Sequence, residues 1–487
     1  MDLARIEAIV DGSGVAEVVE ALLPVGVRHR QLKVRTLLLG MMLALSDDRP
    51  AHLSRVHRAL VGLCERDKGR LGVNLDGHLL TYRQVEYTFS LVVGALSKKE
   101  PDGSPSEMLS VVVDALVESS VPAGCQESSS SLAIDWSDHE SFAFPPTGAV
   151  PSADPEASWG HRRGGPTKGE LFFGYFLQAA TMVREDNGPE AAEIIRRILL
   201  TTCALDPVPA FVPVLERLQS SGVALGDVLC DSGYAHRLPE HWALPVRRLG
   251  GRLVMDLHPN DRGIQGTFKG AICFNGCLYC PATPPALFSI EPLARNASRE
   301  ATSQHDERCA ELSRYKLGRI TNDDADGYHR VACPAELEKL RCSAKPSSLA
   351  LGFDRPEVLA PADDRPKCCL QRTLTVGPEV NAKTAQKHDY PSAAHRRSFA
   401  RRTAVERSYS TLKDPASTDT TRGWCRVTGL CAITLMLACG VVVRNLRVSD
   451  AFTQRQRDQE RRRQEGLGPK TRRRRRQSIA ELVASSP

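Results

Sequence analysis

The chain shows little of what export or membrane insertion requires. Its N-terminus has no basic stretch followed by an apolar core, so no secretory signal is expected. Its longest uncharged apolar segment, residues 427–443, is 17 residues long and contains two glycines. That is the lower limit for a bilayer span, and the run reads instead as a buried core helix, with no membrane partner. Fifteen cysteines, an odd number without an export signal, are expected to be reduced thiols in a cytoplasmic protein. Nor is the body of the chain basic. Eleven Lys or Arg against three acids lie between positions 455 and 476, so a net charge of +6 leaves about −2 for everything else. Any surface for a polyanion must therefore be a local patch.

What is present is ordinary in bulk and specific in a few places. With 487 residues, 41% hydrophobic and 25% charged, the chain can bury a substantial core in two or three domains. Arg402, Glu406, Tyr409 and Lys413 follow one another at helical steps of four, three and four, which puts them on one face. A carboxylate flanked by cations one turn away on either side suits a divalent metal beside phosphates. The bland alternative is a solvated helix with an i,i+4 ion pair. Two upstream segments weigh against it. Residues 131–135 and 226–231 are short apolar runs, each expected to be a buried strand ended by an acid, Asp135 and Asp231, with Ser232 and Gly233 supplying a turn after the second. A buried acid needs a partner or a cation. Three convergent carboxylates suit Mg²⁺ or Mn²⁺, and two such ions roughly 4 Å apart serve phosphodiester chemistry. Asp138 is a rival for the first position.

These residues resemble the acid triad of DDE-type transposases of bacterial insertion sequences. One group of that family places its third acid in a Tyr-x2-Arg-x3-Glu-x6-Lys signature. Arg402, Glu406 and Lys413 fit the spacing, with Phe399 in the Tyr position, and the Asp231 to Tyr234 segment is similar to the second-acid motif. The resemblance implies an α/β fold with an RNase H-like catalytic core, two Mg²⁺ (or Mn²⁺) ions on Asp135, Asp231 and Glu406, and Arg402 and Lys413 on DNA phosphates; Tyr409, by its place on the same helical face, is a further candidate DNA contact. It implies double-stranded DNA partners (element ends and target), a homodimer or higher oligomer on DNA, and a cytoplasmic, nucleoid-associated location. A hydrolytic nuclease with the same triad, or an inactive DNA-binding derivative, are the alternatives.

Along the chain, residues 1–120 read as an all-α N-terminal domain for DNA-end binding, with a helix at 34–45 and a capping box at Thr81 and Gln84. Arg35, Arg55, His57, Arg58 and Arg83 are its basic candidates, though no helix-turn-helix stands out. Residues 131–260 are expected to form the first part of the core, with a loop from Asp135 to about 169 and helices at 189–200 and 212–219. Residues 261–385 read as a Cys-rich, partly β insertion, since 175 residues separate Asp231 from Glu406. Residues 386–450 complete the core, and 451–487 form a basic disordered tail. Eight cysteines fall within 273–369, and Cys273, Cys277 and Cys280 resemble half of a structural Zn²⁺ site, which Cys333, Cys309, Cys342 or the Cys368–Cys369 pair could complete, with His305 and His329 as further candidates.

Overall fold

The computed structural model describes residues 2–24, 30–47, 52–75, 78–97, 104–126, 128–162, 169–294, 296–359, 365–414, 418, 420–423 and 425–468. Six strands form the main sheet: β1 (Leu132–Glu140), β2 (Ser158–His161), β3 (Leu171–Met182), β4 (Ile195–Thr202), β5 (Asp227–Cys230) and β6 (Arg252–Met255). β1 lies at the centre. β3 runs antiparallel on one side of it, and β2 and β4 pair end to end along the outer edge of β3. On the other side β5 and then β6 run parallel to β1. The short parallel strands are almost wholly buried, as short apolar strands covered by packed side chains on both faces should be.

The period-two alternation of strands separates two cores. Ala133, Leu177, Leu229 and Val254 face one side, where they join the N-terminal helices α1 (Leu3–Ser13), α2 (Val15–Leu22), α3 (Val34–Ser46), α4 (Leu53–Val61), α5 (Tyr82–Leu96) and α6 (Glu107–Glu118) in one apolar cluster. Leu132, Ile134, Val228, Leu253 and Met255 face the other side, against α7 (Val212–Ser220) and α8 (Ala243–Arg248). The result is a mixed α/β protein with helices on both faces of a mixed sheet. The capping box forms as expected: the Thr81 amide donates to Gln84 Oε1 at 2.7 Å and the Gln84 amide to Thr81 Oγ1 at 3.4 Å. Two of the basic candidates at this end are internally engaged, Arg35 with Glu7 and Asp11, and His57 with the Leu80 carbonyl.

Between β6 and the third acid lie three small sheets and one long helix, α9 (Arg299–Arg314), so the 261–385 segment is partly β as expected. The chain then returns to the main sheet through α10 (Thr403–Leu412) and α11 (Leu430–Gln464). By length and composition α11 could cross a membrane, yet 89% of its most apolar window is buried against the sheet and N-terminal helices, so it is the core helix the sequence suggested.

Three local expectations are corrected. Residues 195–202 are strand β4 rather than helix: Ile195, Ile198, Thr201 and Thr202 are β-branched, and Arg196 and Arg197 stay buried by pairing with Glu118 of α6. β1 does not end at Asp135 but runs on to Glu140, because Arg162 pairs with Asp138 and Glu140 on its polar half. Residues 451–464, expected as the start of a disordered tail, continue α11 as helix, rich in charges along its exposed turns; residues 469–487, with the Arg472 to Arg476 run, lie outside the described residues.

Two buried histidines make this fold acid-sensitive. Burial lowers His139 and His395 to about 4 each, and the Nδ1 atoms of both rings lack hydrogen-bond partners. An unfolded chain takes up these protons near pH 6.5, before the folded chain can. Stability is therefore whole above pH 6.5 and lost as pH falls toward 4, by about 3 kcal/mol for each fully expressed shift. Urea unfolding at pH 7.5 and 5 should show the drop, and His395→Gln should reduce it by about half, leaving the share of His139.

Candidate functional site

Asp135 and Asp231 come together because of register. Leu132 of β1 is level with Val228 of β5, and each acid lies three residues further along its strand. Both have the parity of Ala133 and Leu229, so they face the side on which α10 packs against β1 and β3. Asp231 sits just past the end of β5 in extended backbone and caps the turn that follows, its Oδ1 accepting the Gly233 amide at 2.9 Å. Gly233 is required there: a Cβ would come within 2.5 Å of the Trp136 ring.

α10 brings the third acid. Arg402, at its N-terminus, donates to Asp135 Oδ2 at 2.8 Å with one arm of its guanidinium and to Glu406 Oε1 with the other. The Phe399 ring lies under that guanidinium, 5.7 Å from its carbon, and stacks on His395. The aromatic position is thus used for packing and cation–π contact, neither of which needs a hydroxyl. Asp135 is pushed up to about 7, first by burial and then by the charge of Asp231; Glu406 adds to the rise and Arg402 opposes it. One guanidinium does not fully offset the negative charge gathered here.

The other two residues of the face have different work. Tyr409 is 7% exposed, and its hydroxyl lies 2.7 Å from the Asp135 carbonyl and 3.0 Å from that of Leu177. It fastens α10 to β1 and β3, which corrects the expectation of a DNA contact: the helical face points into the sheet at this turn. Tyr409→Phe should cost about 1 kcal/mol of stability and leave DNA affinity within twofold, as denaturation and filter binding would show. Lys413 donates to the Asp138 carbonyl at 2.7 Å and to Ser137 Oγ at 2.9 Å, and burial lowers its pKa while Asp138 opposes. Asp138, the rival first acid, is committed to Arg162 and Lys413.

The expected zinc set does not assemble. Cys273 pairs with Leu278 and Cys277 with Phe274 in a tight hairpin, so the two thiols point to opposite faces, into different apolar clusters. Cys280 and Cys333 do share a cluster, with Cys342. Among the described residues, the one set of three His, Cys, Asp or Glu side chains whose ligand atoms all lie within 4.8 Å of one another is His236, His258 and Asp261. Sequence reading missed it, since the two segments meet only through the pairing of β5 with β6. It also missed Asp227, Lys387 and Arg401, whose one signal was an acid inside an apolar strand.

No family model and no curated protein matches the chain. Among solved structures it is similar to the Drosophila P element transposase strand transfer complex, with 11% identity over 84% of this chain and 92% of that chain and a TM-score of 0.24. A likeness at that level decides neither fold nor function.

Proposed function

We propose that this chain is a DNA transposase of the three-acid type, cutting DNA at the ends of an element and joining the freed 3′ ends to target DNA. The observation that carries the reading is the convergence of Asp135, Asp231 and Glu406 around the Arg402 guanidinium. The strand order β4–β3–β1–β5–β6, with the first acid on the central strand and the second beside it on a parallel neighbour, is what an RNase H-like core would have, and it supports the reading. So does the return of the chain to that sheet through a helix bearing the third acid, after a partly β insertion.

The donor chemistry suits a hard divalent cation: three carboxylates, one of them held at a raised pKa by burial and then by the charge of Asp231, although their oxygens do not all lie within 4.8 Å of one another as those of His236, His258 and Asp261 do. Asp135, Asp231 and Glu406 would hold Mg²⁺ or Mn²⁺, as a pair of ions. When bound, such ions polarise the phosphate and make water or a 3′-hydroxyl a better nucleophile. With a cation held there, Asp135 would be ionised, and Arg402, which now pairs with Asp135 and Glu406, would be free to pair with a DNA phosphate. Lys413 and Tyr409 act as positioning residues, holding the C-terminal half of α10 to β1 and β3. Joining needs two element ends in one complex, so the active form is a dimer or higher assembly on double-stranded DNA.

The test uses the full chain with DNA carrying the sequences that flank its own coding region, in Mn²⁺. Cleavage followed by joined products supports the transposase. Cleavage with no joining makes the chain a hydrolytic nuclease, and binding without either leaves a DNA-binding protein.

A further inference from the structure

The geometry points to a second metal site, outside the acid triad, built from His236, His258 and Asp261 and suited to a borderline divalent ion of the Zn²⁺ class. Two segments create it. His236 closes the short helix Ser232–Ala235 that follows Asp231, and His258 and Asp261 flank the Pro259–Asp261 turn that follows β6. Because β5 and β6 are parallel neighbours, both segments leave the sheet at the same edge. There the two imidazole rings lie 3.9 Å apart, inclined by 30°, and the three ligand atoms all fall within 4.8 Å of one another.

The second observation concerns the carboxylate. Asp261 is only 9% exposed, and its two oxygens are treated differently. Oδ1 accepts from Lys383 Nζ at 2.7 Å, whereas Oδ2 is buried with no hydrogen-bond partner and lies 3.5 Å from His236 Nδ1. A buried carboxylate oxygen without a donor is costly, and a cation removes that cost. Lys383 then acts as the outer partner that fixes the carboxylate, the usual arrangement around a metal ligand. His258 Nδ1 accepts the Asn260 amide at 3.2 Å; ligation through that nitrogen would release an exposed amide that water can serve. Two imidazoles and one carboxylate favour Zn²⁺ or Co²⁺ over Mg²⁺ or Ca²⁺, which prefer all-oxygen shells. Metal here would clamp the segment leaving Asp231 to the first turn of the insertion.

The experiment takes the full chain, strips it with a chelator and titrates it with Zn²⁺ and with Co²⁺. In excess Mg²⁺, which occupies all-oxygen sites, the wild type should take up one equivalent, and the Co²⁺ form should show visible bands without the intense thiolate charge-transfer absorption that cysteine ligation brings. His236→Ala and His258→Ala should each weaken binding about a hundredfold, and Lys383→Gln, which leaves every ligand in place, about tenfold. Cys280→Ser and Cys333→Ser should bind as the wild type does. No uptake by the wild type, unchanged uptake in both His variants, or a thiolate spectrum lost in the Cys variants would each overturn the assignment. Circular dichroism of the variants separates a lost site from a lost fold, and the wild-type spectrum decides the ligand type by itself.

Discussion

Glu406→Gln is expected to lower Mn²⁺-dependent cleavage and joining at least about a thousandfold, with the fold intact. On the proposed reading Glu406 would help hold a cation that polarises the phosphate; losing it would forfeit several kcal/mol of transition-state stabilisation, and about 4 kcal/mol corresponds to three powers of ten in rate. The structural role of Glu406 is small by comparison. Its side chain is 51% exposed and its ion pair with Arg402 is one i,i+4 contact on a helix, worth about 0.3–0.5 kcal/mol in such a setting. Arg402 keeps its bond to Asp135 when Glu406 is neutralised. Melting temperature and metal-free DNA affinity should therefore stay close to wild type while turnover disappears. Asp231→Asn should behave the same way for a different reason: an asparagine oxygen can still accept the Gly233 amide and cap the turn, but the charge beside Asp135 is gone. Retention of a tenth or more of the activity in either variant would remove that residue from the metal site.

The strands and the helix that bear the acids were legible because each carries a local signal. Residues 131–135 and 226–231 read as buried strands by apolar runs and turn residues, and helical spacing put Arg402, Glu406, Tyr409 and Lys413 on one face. What the face packs against was not legible. A helical wheel says that Tyr409 and Glu406 share a side; only the tertiary arrangement shows that the sheet covers the Tyr409 turn and leaves the Glu406 turn half open. β4 was misread because Ala191, Ala192 and Glu193 before it favour helix, and because two arginines in a buried strand make sense only with the acids of α6 alongside. The cysteine spacing suggested a metal, but a hairpin turn between Cys273 and Cys277 sends neighbours to opposite faces, a fact of register rather than of composition. His236, His258 and Asp261 had no local pattern at all, since their proximity depends on which strands are adjacent.

Asp227→Asn should be the most destabilising single change near the site, by about 3–5 kcal/mol, the penalty of leaving buried charges without their partner. Asp227 is wholly buried, yet three cations reach it: Arg252 Nε at 3.0 Å, Lys387 Nζ at 2.7 Å and Arg401 at 2.7 Å. Arg401 is itself nearly inaccessible, so it cannot turn to water when the carboxylate goes. The position of this cluster explains its importance to the chemistry. Asp227 lies on β5 four residues before Asp231, with the same strand parity, and Arg401 immediately precedes Arg402. The Asp227–Arg401 pair, 174 positions apart in the chain, is therefore the pin that holds the returning chain at the register where Glu406 approaches the two strand acids. Urea unfolding should show the loss for Asp227→Asn and a similar one for Arg401→Met. In the double variant, where neither charge is left buried alone, stability should recover well above the sum of the two losses, because the residues share one interaction. Additive losses would mean that the two charges stabilise the fold separately and that something else sets the register of α10. Cleavage by the double variant then measures the pin itself: with stability partly restored, activity still well below wild type would show that the ion pair positions Glu406 as well as holding the fold.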